Sequence, residues 1–226
     1  MEVKVAPKLV QMEKVSMRDR VGRALRAAII SGEMEPGVVY SAPSLAARFG
    51  VSATPVREAM LDLVREDLVE IVPNKGFRVT EISEADLDQI TEIRLLIEPP
   101  AVSKVTPIIP QGDFAELREL AQNIVTHAEA GDLVDYTEAD RVFHLRLLSY
   151  ANNPRMTNLV SDLRAHTRLF GLTALRERGE LVDVANEHHA IVDAIESRDQ
   201  NAVESVMRAH ISQVRGRWAN PDSTTS

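Results

Sequence analysis

Asp140 and His144 stand four residues apart in a stretch of helical pattern. That spacing puts both side chains on one helix face, with Cβ atoms about 5–6 Å apart. Their neighbours Val142, Leu145 and Leu148 imply a partly buried setting. His188 and His210 are 22 residues apart, and Asp199 lies 11 residues from each. Two antiparallel helices turning near Asp199 would therefore bring these imidazoles together. One carboxylate and three neutral imidazoles form a donor set suited to Zn²⁺ or Ni²⁺. On spacing alone the alternative is an ordinary surface or capping pair, and that reading is the commoner one for an Asp and a His at i, i+4. His127 reads as a plain helix residue. His166, in one segment with Arg164 and Arg168, faces either a cavity or solvent. Arg94 precedes Glu98 by one turn, so it is either half of an internal ion pair or a fork for a ligand carboxylate.

A second constellation lies near the N-terminus. The run Leu45-Ala46-Ala47-Arg48-Phe49-Gly50-Val51-Ser52, followed by Thr54-Pro55-Val56-Arg57-Glu58-Ala59, spells two helices joined at a tight Gly turn. In a helix-turn-helix the first helix crosses the DNA backbone and the N-terminal turn of the second enters the major groove. Ser44 is expected to cap the first helix and Ser52 the second. Pro55 suits a first helical turn, where no N–H is lost. The hydroxyls of Ser52 and Thr54, with free amide groups at a helix N-terminus, suit phosphate oxygens. Arg57, about one turn in, can reach a guanine edge or a phosphate. Lys75 and Gly76 would form the tip of a wing, with Gly76 allowing the backbone close to DNA.

The elements that position these residues follow from pattern. Val21, Leu25, Ala28 and Ile29 recur at helical spacing up to Ser31-Gly32. Val38-Val39-Tyr40 is a short extended piece. Val69, Ile71, Phe77 and Val79 alternate on either side of Pro73-Asn74-Lys75-Gly76, which predicts a β-hairpin. From Ser83 onward the pattern is helical only, with segments at about 83–106, 111–130, 132–151, 154–178, 180–198 and 199–218. Ser83 suits the cap of the first of these. Pro99-Pro100 is expected to kink or break it and to free carbonyls one turn earlier. The expected fold is mainly α: a winged helix-turn-helix of three helices plus a β-hairpin, then an antiparallel all-α bundle. The divisions are 1–17, a loose arm; 18–80, the winged unit; 81–219, the bundle; and 220–226, a polar tail.

Composition narrows the function. Aromatics are 4% of 226 residues, so aliphatic helix packing is favoured over an all-β core. Cysteine is absent, which excludes disulfides, thiolate metal sites and cysteine nucleophiles. With no membrane-length apolar run and no signal peptide, a cytoplasmic protein that does not engage a membrane is expected. The net charge of −8 is uneven. Residues 1–80 hold 12 Lys and Arg against 10 Asp and Glu, a net of +2; residues 81–226 hold 14 against 24, a net of −10. A mildly basic head on an acidic body suits a nucleic-acid-binding module carried by a different kind of domain.

In Ala28-Ile29-Ile30-Ser31-Gly32, Pro36-Gly37, Phe49-Gly50-Val51-Ser52, Thr54-Pro55-Val56-Arg57-Glu58-Ala59 and Asn74-Lys75-Gly76-Phe77, the chain resembles the GntR superfamily of bacterial transcription regulators. Arg94 with Glu98, Asp140 with Phe143-His144, and Glu187-His188 with His210 extend the resemblance to the FadR-like subgroup with an FCD domain. The resemblance implies a homodimer on double-stranded operator DNA, more often a repressor than an activator. It implies a metal ion on Asp140, His144, His188 and His210, and a small organic acid effector near Arg94 and His166. Two positions depart from the family: Ala53 stands where an Arg is usual, and Ala42-Pro43 where a charged residue often precedes the first helix of the motif. An operator unlike the family's usual sequence is therefore expected. Catalysis is not expected, because Glu187, adjacent to His188, projects about 100° away on a helix and is a poor general base. The other readings are a metal-dependent hydrolase on a winged helix, and an architectural DNA-binding protein with no effector.

Overall fold

The computed structural model describes residues 16–167 and 171–218, and within these the side chains other than 166, 167 and 213–218. The expected arm, apart from its last two residues, and the expected tail lie outside the described residues. So does the His166 side chain.

The first helix, α1 (Met17–Ile30), opens on a reciprocal cap, in which the Ser16 hydroxyl accepts from the Asp19 amide and the Asp19 carboxylate accepts from the Ser16 amide. Val21, Leu25 and Ile29 form its buried stripe at i, i+4, i+8. Strand β1 (Val39–Tyr40), α2 (Ala42–Phe49), α3 (Ala53–Arg65), β2 (Val69–Val72) and β3 (Gly76–Val79) complete the head. One apolar cluster joins them, built on Leu25, Leu45, Val56, Met60, Leu63, Phe77 and Val79.

The hairpin is a three-stranded antiparallel sheet of order β1-β3-β2. The extended piece before α2 is thus a true edge strand, with Tyr40 opposite Phe77. Its pairing explains Gly76. A Cβ there would lie 2.3 Å from the Tyr40 carbonyl oxygen, and φ is 141°. The close approach that Gly76 permits is therefore to β1. Ile71, expected on the buried face, is 55% exposed near the tip, while Val69 is buried.

Two expected caps are revised. Ser41, not Ser44, caps α2, and its hydroxyl accepts from the Ser44 amide. Ala42 and Pro43 thus lie in the first turn of α2 rather than before it, where Pro43 loses no helical bond. Ser52 holds the cap position of α3 with extended backbone, but its side chain makes no capping bond. That leaves the first amides of α3 open.

The second apolar cluster is purely helical. It comprises α4 (Glu84–Val105), α5 (Phe114–Ala130), α6 (Leu133–Ser149), α7 (Pro154–Thr167), α8 (Leu172–Glu177), α9 (Leu181–Glu196) and α10 (Gln200–Trp218). Ser83 caps α4 with Asp86 as its reciprocal partner. α4 packs on α10, α5 on α6 and α9, and α9 on α10. The segment expected at 154–178 is two helices, α7 and α8.

The prolines do not break α4. It runs through Pro99 and Pro100 in one hydrogen-bonded helix. The carbonyl of Leu95, which the missing Pro99 N–H leaves open, accepts from Arg208 Nη1 of α10 at 3.3 Å. A neighbouring helix thus supplies the donor that the sequence removes.

Candidate metal centre and nucleic-acid surface

Asp140 and His144 project from one face of α6, His188 from α9 and His210 from α10. The α9–α10 turn near Asp199 brings the last two together, as their equal spacing predicts. One donor atom from each of the four lies within 4.8 Å of the others. His144 Nε2 and His188 Nε2 are 3.2 Å apart, and His188 Nε2 is 3.1 Å from Asp140 Oδ1. His144 Nε2 to Asp140 Oδ1 is 3.6 Å. Donors bound tetrahedrally at 2.0–2.1 Å from Zn²⁺ are about 3.3 Å apart. The spacing fits.

The protonation pattern fits as well. His188 Nδ1 lies 3.0 Å from the Ala185 carbonyl oxygen, a partner that requires Nδ1 to donate. His210 Nδ1 lies 2.9 Å from Glu187 Oε2 and likewise donates. With Nδ1 donating, Nε2 is the ring nitrogen that each of these side chains can offer to a cation. His188 Nε2 faces a carboxylate oxygen and another imidazole nitrogen, three atoms that a single cation could bind together. Outer carbonyl and carboxylate partners of this kind fix tautomer and ring orientation at metal sites. Phe143, fully buried, stands edge-on to both rings, with centroids 5.2 Å from His144 and 5.0 Å from His188.

Charge is organised around the same point. Burial would raise the Asp140 pKa, but the Arg164 guanidinium beside it holds its carboxyl well below the usual carboxylate range. Burial, reinforced by Arg164, pushes His144 well below the usual imidazole range. Burial also lowers His210, against the opposing pull of Glu187. His144 and His210 are therefore neutral at neutral pH, as metal ligation requires.

Arg94 pairs with Glu98 (Nε to Oε1 2.7 Å), the internal partner its spacing allows. Glu98, completely buried, also accepts from Arg164 Nη2 at 2.6 Å, and Arg164 Nη1 reaches Asp140 Oδ2 at 2.8 Å. The result is a continuous Arg94–Glu98–Arg164–Asp140 chain that ends on Asp140 Oδ2, the carboxylate oxygen other than the one facing the imidazoles. Pairing does not exhaust Arg94. Its Nη2 is buried with no hydrogen-bond partner among the described residues, and the same is true of His144 Nδ1. In sequence Arg164 stands out as a neighbour of His166, and Glu187 as part of the Glu187-His188 pair and a poor general base; neither is legible as a support for the cluster. Their buried roles depend on contacts between α7 and α4 and between α9 and α10, for which local spacing carries no signal.

On the head, Ser44, Ser52, Thr54, Arg57 and Lys75 are exposed, and Pro55 is half-buried in the first turn of α3. Several basic residues there are neutralised: Arg48 by Glu33, Arg65 by Asp62 and Arg78 by Glu70. Arg57 and Lys75 have no salt-bridge partner among the described residues, so their charges are available to phosphate or base edges.

A helix–Gly–helix with a β-wing, joined to a helical bundle that gathers Asp and His donors, defines a DNA-binding regulator with a separate helical body. The comparisons agree. Residues 17–79 match the family described as bacterial regulatory proteins, gntR family, and residues 89–213 match the FCD domain. The chain belongs to the GntR family of transcription regulators, with an FCD C-terminal domain. It is 29% identical over 192 residues to the HTH-type transcriptional regulator McbR of Escherichia coli strain K12, covering 84% of this chain and 87% of McbR. It is 26% identical over 198 residues to the HTH-type transcriptional repressor RspR of the same strain, covering 88% and 87%. The solved structure of E. coli McbR/YncC superposes with a TM-score of 0.65 at 28% identity, covering 88% of this chain and 95% of that one.

Among the described residues no helix is long and apolar enough to cross a membrane.

Proposed function

We propose that this DNA-binding regulator is controlled by a small carboxylate that binds beside a divalent ion, Zn²⁺ or Ni²⁺, held by Asp140, His144, His188 and His210. Such an ion supplies a Lewis-acidic partner for an anionic oxygen. The chain's own residues do the rest. Phe143, Ala185 and Glu187 hold the rings in place, and Arg164 orients Asp140. Arg94 offers its free Nη2 to the ligand's carboxylate. The observation that carries this reading is the facing of His188 Nε2 onto Asp140 Oδ1 and His144 Nε2, with its Nδ1 already committed to a carbonyl. The unpartnered Arg94 Nη2 supports the anion. Regulation rather than catalysis is favoured because Glu187, the nearest candidate base, is engaged with His210.

The regulator works in the cytoplasm as a homodimer whose two heads read half-sites one or more helical turns apart. Ser44, Ser52, Thr54, Pro55, Arg57, Lys75 and Gly76 form the DNA-facing surface. Repression fits the similarity to RspR, a transcriptional repressor. An effector alters DNA binding only to the extent that it prefers one state of the protein. The divisions at 80/81 and 219/220 belong to the same proposal. His166 remains a proposed effector contact on the strength of the family resemblance alone.

A melting-shift screen of small organic acids tests the sensor, run on metal-loaded and on chelated protein. A shift confined to loaded protein, and lost in Arg94→Ala, is expected. Equal shifts in both preparations would remove the metal from effector recognition. For the head, Arg57→Ala is expected to weaken binding to a fragment recovered by in vitro selection by about 1–3 kcal/mol, or about 5–150-fold, in a gel-shift titration. Wild-type affinity in that variant would remove Arg57 from the interface.

A further inference from the structure

Helix α6 carries two of the four proposed metal ligands, and its N-terminus also grips the head. Arg23 of α1 holds Asp135 through two bonds, Nη1 to Oδ1 at 2.5 Å and Nη2 to Oδ2 at 2.8 Å, and reaches Asp132 Oδ2 at 2.6 Å. This is a forked, three-bond contact rather than a single surface pair, so its geometry is specific. Asp132 has a second task. Its Oδ1 accepts from the Asp135 amide at 3.1 Å and caps α6. If the first turn of α6 frays, the cap and both acceptors of Arg23 are lost together.

A further hydrogen bond and an apolar contact also cross the seam between head and bundle. Thr173 Oγ1 donates to the Ile30 carbonyl oxygen at 3.1 Å, and Ile30 packs into the bundle's cluster rather than the head's. Beside these contacts lies an open cleft of about 690 Å³, with Ala27, Met34 and Phe49 on one side and Leu133, Val134 and Arg176 on the other. The cleft leaves this flank of the head unpacked against the bundle.

α6 is one uninterrupted helix from Leu133 to Ser149. Asp135 and Asp140 are five residues apart along it, about 7.5 Å of rise. A helix of that length behaves as a rod, so a change of position at Asp140 and His144 is delivered to Asp132 and Asp135. We propose that the Arg23–Asp132–Asp135 clasp fixes the orientation of the DNA-reading head, and that ion occupancy at the other end of α6 sets whether the clasp is held. The second half of this proposal rests on the metal reading given above; the first does not.

The absence of cysteine makes the test direct, because two introduced cysteines can be spin-labelled without background. Ala47→Cys on α2 and Glu119→Cys on α5 are exposed positions on head and bundle. Pulsed electron resonance then gives the head-to-bundle distance distribution, and zinc content is measured on the same samples. Zinc-loaded protein is expected to show one narrow distribution, and chelated protein a broad one. Arg23→Ala is expected to be broad in both states while binding zinc normally, with Arg23→Lys, which loses the fork but keeps the charge, in between. An Arg23→Ala distribution as narrow as wild type overturns the clasp. A wild-type distribution that stays narrow after measured zinc loss overturns the coupling but not the clasp. Failure of the wild type to take up zinc would instead contradict the metal reading, and the Arg23→Ala comparison would still decide the clasp.

Discussion

Glu98→Gln is expected to destabilise the protein by about 3–5 kcal/mol, the cost of removing one partner from a buried charge cluster. At about 2–4 °C per kcal/mol for a chain of this size, the melting temperature should fall by about 6–20 °C. The reason is specific. Glu98 is completely buried between Arg94 and Arg164, and glutamine would leave two guanidinium groups facing an uncharged amide. Loss of the exposed Arg78–Glu70 pair gives the scale for comparison: Arg78→Ala should cost under about 1 kcal/mol. Thermal melts of the two variants side by side check both numbers, and equal small losses would show that the cluster is not buried as described. Buried Arg–Glu–Arg clusters can often be replaced by apolar residues without loss of stability. Stability is thus a poor explanation for this one. Arg164 on Asp140 and the free Nη2 of Arg94 give it a purpose at the proposed metal and effector site.

Chelation is expected to have the second large effect. A ligand present at about 100–1,000 times its dissociation constant stabilises the folded state by about 2.7–4.1 kcal/mol. Stripping the ion should accordingly lower the melting temperature by about 5–16 °C. In His188→Ala the melting temperature should no longer respond to chelator or to added metal. A wild-type melt that is indifferent to chelator would contradict the role given to the ion.

The parts of this architecture legible in sequence are those governed by local periodicity. The Gly50 turn, the β2–β3 hairpin and the bundle helices follow from spacing, and so does the meeting of His188 with His210 across a turn at their midpoint. Local signals failed where two candidates compete or where distant chain decides. Ser41 and Ser44 are both good caps, and the choice falls to Ser41 because Ala42 is buried and Pro43 is tolerated in the first turn. Pro99 and Pro100 predict a kinked or broken helix with freed carbonyls one turn earlier; the Leu95 carbonyl is freed, but the helix continues and Arg208 from another helix supplies the missing donor. Arg94 was ambiguous between ion pair and ligand fork, and the structure gives it the pair together with a spare donor. Arg164 and Glu187 were invisible as site residues. A buried arginine and a carboxylate behind a histidine look in sequence like any solvated charge.

Metal content per chain, measured by mass spectrometry on purified wild-type and Asp140→Ala protein and paired with X-ray absorption at the metal edge, tests the central claim most directly. The account predicts close to one Zn or Ni per wild-type chain, a first shell of nitrogen and oxygen with imidazole scattering, and loss of most of that metal in Asp140→Ala. Metal-free wild type after loading, or a variant that keeps its full complement, would contradict it.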